Sequence, residues 1–227
     1  MRNPSRRSRN IGKAKQGYGQ NNRLVIPTRL HPSWISFTEN LNDYTSQIRL
    51  IHINPIAFLT EKPRVGCFHA CSVEEIKQIL LRISAEDLDG LELIVLRQPK
   101  RKEEILSPVW GRYIPYLQIG KFNGSAIVLE SLDLSRPLRW KKPILSGDEE
   151  EIALLCAEGH TITETKRYLE ISSTLESVRQ TQLFRTLPHE VGHHVHNWRD
   201  ENFSERTKRE KEDFAERYAR EFAKRAI

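Results

Sequence analysis

The segment Thr186-Leu187-Pro188-His189-Glu190-Val191-Gly192-His193 constrains this chain more than any other. Histidines four residues apart lie on one face of a helix, about one turn apart, so both imidazoles reach a single cation. The intervening Glu190 projects to the flank, where its carboxylate can take a proton from water without being a ligand. Zinc held by three protein groups keeps its fourth position open and lowers the pKa of a water there to ~7. Leu187, Val191 and Val195 supply apolar neighbours, so partial burial is expected. Proline fits the first turn of a helix, so Pro188 implies either a helix starting near 186–188 or a kink within a longer one. Gly192 costs a helix about 1 kcal/mol relative to alanine, which points to something packed closely against its face.

The candidate third ligand is Glu212, with eighteen residues between it and His193. It opens the run Glu212-Asp213-Phe214-Ala215-Glu216-Arg217-Tyr218-Ala219. At ~100° per residue, Phe214, Ala215, Tyr218, Ala219 and Phe222 define a buried side, with Glu212 roughly 80° and Glu216 roughly 120° from its centre and Asp213 almost opposite. That ranks Glu212 first, Glu216 second and Asp213 last. The competing reading of Glu212 is a solvated helical charge, because Lys208, Arg209, Glu210 and Lys211 precede it. His196 shares the face of His189 and His193, but seven residues at ~1.5 Å each put the outer pair about 10.5 Å apart, awkward for one tetrahedral ion. His194 reads as a side residue.

Around this segment the pattern is α+β, strands and a helix first and helices afterwards. Residues 24–26, 48–53, 91–96 and 125–129 read as strands, with 110–119 a weaker extended stretch interrupted by Pro115. Pro55 is expected to end the second of these, and Asn123-Gly124 to turn the chain before the last. Ser72-Val73-Glu74-Glu75 begins a helix over 73–84. Beyond Pro143 the strand signals stop. Residues 148–158 read as a helix capped by Ser146 or Asp148 and stopped by Gly159, 161–187 as helical in parts, and 203–225 as a long amphipathic helix. The expectation is one domain over 24–227, a sheet-containing half (24–145) followed by a helical half (146–227).

Charge separates off the first 23 residues. They hold seven arginines and lysines and no acid. Removing those seven from the chain's 36 leaves 29 basic groups against 30 acidic ones, so the remainder is near neutral. Polar and poor in aliphatic residues, the arm 1–23 is expected to be disordered. It reads either as a solvated tail or as an electrostatic contact for nucleic acid or an acidic partner. No run reaches the ~18 apolar residues of a membrane span, and the basic N-terminus lacks the apolar stretch of a secretory signal. Three cysteines, Cys67, Cys71 and Cys156, argue for a reducing, cytoplasmic setting. Cys67-x-His69-x-Cys71 offers only three ligands, and buried reduced thiols are the expected state.

His189-Glu190-x-x-His193 followed by Glu212 in an E-x-x-A helix resembles the gluzincin metallopeptidases, the thermolysin-like clan, including small cytoplasmic ImmA/IrrE-type members. The specific match covers residues 186–219. The resemblance implies a zincin-like fold, Zn²⁺ on His189, His193 and Glu212, Glu190 as general base, and hydrolysis of a protein or peptide substrate. Pro188 stands where such motifs usually avoid proline, and Glu216 where many members have Asn or Asp. Tyr113, Tyr116, His160 and Tyr218 are candidates for stabilising an oxyanion, with structural roles as the plainer reading. Ser125–Ser131 is the expected exposed edge for an extended substrate. Two other functions compete: a nucleic-acid-associated regulator using the basic arm, with a structural or partner-cleaving zinc site, and a metal-stabilised fold without catalysis.

Overall fold

Largely apolar runs such as Leu91–Leu96 suit strands covered on both faces, and the sheet built around them decides where the histidine segment lies. A computed structural model describes residues 41–225 apart from 107, 143 and 145–147. The basic arm, the strand expected at 24–26, the start of the 24–227 domain and the Ser146 cap lie outside the described residues.

The first elements are β1 (Tyr44–Ile51), β2 (Asn54–Glu61), β3 (Cys67–Phe68), α1 (Val73–Leu80), β4 (Leu91–Arg97), α2 (Arg101–Leu106), β5 (Gly111–Ile119) and β6 (Phe122–Glu130). Then come β7 (Leu132–Asp133), β8 (Leu138–Lys141), α3 (Asp148–Ala157), β9 (Thr161–Glu164), β10 (Tyr168–Ser172), α4 (Leu175–Gln180), α5 (Leu187–Arg199) and α6 (Lys208–Arg225). The class is α+β, with a mixed main sheet in the order β1-β2-β4-β6-β5. Its three inner strands β2, β4 and β6 are parallel, and β1 and β5 close it antiparallel. Ile94, Leu96, Ile127 and Leu129 on one face pack with Leu187, Val191, Val195 and Phe222 of the helices. Leu59, Leu93, Val95 and Val128 form a second buried cluster.

Several expectations change. Pro55 does not end the first strand region. The chain reverses at His52 and Ile53 and returns as β2, where Pro55 faces Leu50 near the end of the ladder and its missing N–H is tolerated. The charged run after Pro99 is the short helix α2. The turn signal at Asn123-Gly124 falls inside β6, opposite Gln118 and Leu117, because Gly120 and Lys121 already make the hairpin turn. Pro115 does disrupt β5, where the register shifts between Ile114 and Leu117. Consequently Ser125–Ser131 is not an edge: β6 is flanked by β4 and β5, and among the described residues the edges are β1 and β5.

Residues 146–227 are not purely helical. β9 and β10 pair with β8 in a second, three-stranded sheet, so strand signals continue beyond Pro143. Alternation explains it: Leu169 and Ile171 point inward, while Glu170 and Ser172 point away. The capping box at Ser72 and Glu75 opens a helix that ends at Leu80, and α6 begins only at Lys208. Among the described residues no helix is long and apolar enough to cross a membrane.

Ile127 is fully buried between sheet and helices, whereas Ile48 is 63% exposed. Ile127→Ala is expected to cost about 2–5 kcal/mol and Ile48→Ala less than about 0.5, read by denaturant unfolding. Equal losses would contradict the assigned core.

Candidate metal centre

Pro188 sits inside a continuous helical run. Proline cannot donate to the carbonyl four residues back, and its ring crowds that group. The chain meets this with a π-helical turn over Thr181–Thr186, in which the Leu187 N–H donates to the Gln182 carbonyl, one residue beyond the usual partner. α5 thus begins at Leu187 with Pro188 in its first turn, one of the two expected alternatives, and a widened turn joins it to α4.

The face of α5 toward the sheet is fastened by polar groups as well as by Val191 and Val195. His194 is 1% exposed. Its Nε2–H donates to the Asp89 carbonyl (2.9 Å) and its Nδ1 accepts from Ser125 Oγ (3.1 Å), so it ties α5 to the sheet. The Tyr113 hydroxyl accepts from Asn197 Nδ2 at 2.9 Å. Against another side of α5 lies α6, started by a reciprocal cap. The Glu210 N–H donates to Thr207 Oγ1, and the Thr207 N–H to the Glu210 carboxylate. The two helices approach closely at Gly192, where a Cβ would lie 2.8 Å from Ala215 Cα and 3.0 Å from Tyr218 Cβ. The close packing expected from the glycine is therefore present.

This crossing brings Glu212 to the histidines. His189 Nε2 and His193 Nε2 are 3.1 Å apart, and Glu212 Oε2 is 3.4 Å and 3.5 Å from them. A tetrahedral zinc with bonds of about 2.0–2.2 Å has ligand atoms about 3.3–3.6 Å apart, so the two Glu212 distances match tetrahedral edges and the 3.1 Å between the imidazoles is slightly shorter than one. Two imidazoles and a carboxylate are also a zinc donor set with the fourth position open. The side chains of His189, His193 and Glu212 are 23%, 14% and 45% exposed, so the centre borders solvent. Among the described residues this is the one group of three or more His, Cys, Asp or Glu close enough to hold a metal.

The other candidates are engaged elsewhere. Asp213 pairs with Arg209 and Glu216 with Arg220. His196 stacks on Phe214 and lies 3.4 Å from Asp200. Cys67 and Cys71 are free, buried thiols, and burial pushes Cys71 up to about 12. His69 bonds the Glu61 carbonyl. His160 lies between Ser173 and Thr181, the Tyr218 hydroxyl donates to Asp87, and Tyr116 is 60% exposed.

Electrostatics separates the candidate ligands from Glu190. Burial lowers the pKa of His193 to about 4, helped by His189 and opposed by Glu212. Burial also lowers His189, so both imidazoles are neutral lone-pair donors at neutral pH. Glu190 is 8% exposed, and burial raises it to about 7, with the Tyr113 backbone N–H acting against the rise. Sequence reasoning named Tyr113 for its phenol and missed its backbone. The edge position of β5, set by pairing outside the motif, carries that role. Gly111 on the same strand admits the helix: a Cβ there would lie 2.8 Å from Thr186 Cγ2 and from the Val128 carbonyl oxygen.

No protein-family model, curated protein or solved structure matches the chain.

Two outcomes follow. Gly192→Ala places a methyl against α6 backbone, so it should destabilise by about 1–3 kcal/mol despite alanine's better helix propensity. Any zinc affinity of the candidate centre, measured by competition with a chelating dye, should fall as well; unchanged affinity would contradict the helix-crossing account. In the metal-free protein, the protonated Glu190 contributes stability that is present below its ordinary 4.5 and is lost as pH rises through 7. Glu190→Gln should therefore gain in melting temperature relative to wild type between pH 5 and 8, and a constant difference contradicts the raised pKa.

Proposed function

We propose that the protein is a zinc-dependent metallopeptidase of the gluzincin type with a zincin-like fold, acting on a protein or peptide in the cytoplasm. The observation that carries this is one juxtaposition: three metal-donor atoms at near-tetrahedral spacing on His189, His193 and Glu212, with the buried carboxyl of Glu190 on the helix of the two histidines. Cytoplasmic residence rests on the sparse, free cysteines.

His189, His193 and Glu212 would hold the ion. Zinc bound by them supplies Lewis acidity, polarising a carbonyl and making water acidic enough to lose a proton near neutrality. The protein's own part is proton handling and orientation. The Glu190 carboxylate would accept a proton from the attacking water and, once protonated, return it to the leaving amine. The Tyr113 backbone N–H on β5 favours the ionised form of that carboxylate.

Strand geometry supports the site for the substrate. Along a strand the N–H and C=O of one residue face the same edge, and neighbouring residues face opposite edges. The Glu130 N–H donates to the Trp110 carbonyl, so residue 110 faces β6, and Gly111 and Tyr113 face outward. The Gly111 N–H and C=O and the Tyr113 C=O are therefore placed to bond an extended peptide added to β5.

Glu190→Gln tests the mechanism. Zinc content should stay at wild-type level while chelator-sensitive cleavage of a peptide library falls by about 10²–10⁴-fold. Cleavage as fast as wild type would remove Glu190 from the reaction.

A further inference from the structure

The three parallel strands end in side chains unusual for a core. Glu61, Arg97 and Glu130 close β2, β4 and β6, and Gln98 and Ser131 follow the last two, each at most 7% exposed. Glu130 Oε1 accepts from both Arg97 (2.9 Å) and Arg112 (2.7 Å). Its other oxygen, Oε2, is buried and accepts from nothing among the described residues, and the buried donor Arg112 Nε has no partner among them either. Arginine and a carboxylate commonly meet through two parallel hydrogen bonds. Arg112 and Glu130 make one, and an acceptor and a donor on the same two groups are left over. Buried polar atoms without partners cost free energy that a bonding occupant would recover.

Both residues line a cleft of about 760 Å³ at the carboxyl ends of the parallel strands β4 and β6. Open sheets place ligands beyond the carboxyl ends of their parallel strands, in sites of ~300–1,000 Å³. None of His189, Glu190, His193 and Glu212 lines this cleft. We infer that it is a second binding site, apart from the metal centre, for a neutral planar heterocycle of nucleobase type, whose edge donates to Glu130 and accepts from Arg112.

Charge, hydrogen-bonding capacity and wall chemistry select that class. Every charged side chain of the lining already has an opposite partner: Arg112 with Glu130, Arg136 with Asp133, Arg139 with Glu170, Glu103 with Arg97 and Glu104 with Arg64. A charged occupant would find no counter-charge to spare, so the occupant is neutral. The two orphaned atoms are one acceptor and one donor, so it must bring a donor and an acceptor side by side. Val109, Leu132, Leu134 and Leu138 add apolar walls, which suit the faces of a ring rather than a compact polar molecule. A nucleobase edge, where an N–H adjoins a ring nitrogen or a carbonyl, meets all three demands. The Arg112 side chain is 32% exposed against 2% for Glu130, so arginine is the half that turns to admit the edge.

Isothermal titration calorimetry on the full-length protein tests this with adenosine, cytidine, guanosine and uridine, their 5′-monophosphates, and N-methylated analogues that lack the edge donor. At least one nucleoside should bind with a stoichiometry of one. Its N-methylated analogue should bind roughly tenfold or more weaker, because the analogue leaves Glu130 unpaired. The monophosphate should bind no tighter than the nucleoside. Arg112→Lys keeps a cation beside Glu130 but removes Nε, and should weaken the nucleoside roughly tenfold or more. Val109 is 38% exposed, so Val109→Arg changes the cleft wall without entering the core. It should abolish binding with the melting temperature unchanged, which keeps the test decisive where Arg112→Lys fails to fold. No binding of any nucleoside at millimolar concentration overturns the assignment. So does equal affinity for the N-methylated analogues, or binding that survives Val109→Arg. A monophosphate tenfold tighter than its nucleoside identifies an anion site and overturns the neutral occupant.

Discussion

The close crossing of α5 and α6 at Gly192 and Ala215 holds the candidate centre together. Helices usually pack 8–10 Å apart, and a pair of small residues lets backbones come nearer. Glu212 lies three residues before Ala215, about one turn, so the depth of this contact sets how far its carboxylate reaches. A glycine that weakens α5 as an isolated helix is the residue that admits the partner helix. Local propensity gives way to a tertiary requirement, as is common near functional sites.

The same helix meets a second constraint on its sheet side. His194, Ser125, Tyr113 and Asn197 form polar links between α5, β5 and β6, and removing one partner leaves a buried group unsatisfied. They fix β5 beside Glu190. The centre is thus gripped from two directions, by close apolar contact with α6 and by hydrogen bonds to the sheet. Burial then sets the chemistry, holding imidazoles neutral and a carboxyl protonated up to about pH 7 by the same desolvation.

Much of this was legible in the sequence because it is local. The capping box at Ser72, the spacing of His189 and His193, and the packing implied by Gly192 all concern residues within a turn or two. The ranking of Glu212 over Glu216 and Asp213 came from helical periodicity, and the structure brings Glu212 and neither of the others to the histidines. What was not legible is pairing. That β5 rather than β6 forms an edge depends on a parallel β4–β6 ladder between distant segments. β2 was hidden because Pro55 reads as a terminator unless its partner strand is known. β9 and β10 mix period-two alternation with apolar spacings that also fit a helix, and only β8 decides between them. The cleft is assembled from strand ends and loops, where no single stretch carries a pattern.

The account is tested most directly by anomalous diffraction at the zinc edge from crystals of the zinc-loaded protein. It predicts one strong peak within about 2.0–2.2 Å of His189 Nε2, His193 Nε2 and a Glu212 carboxylate oxygen. A peak bound elsewhere, or one on the histidines with the Glu212 carboxylate several ångströms away, would contradict it.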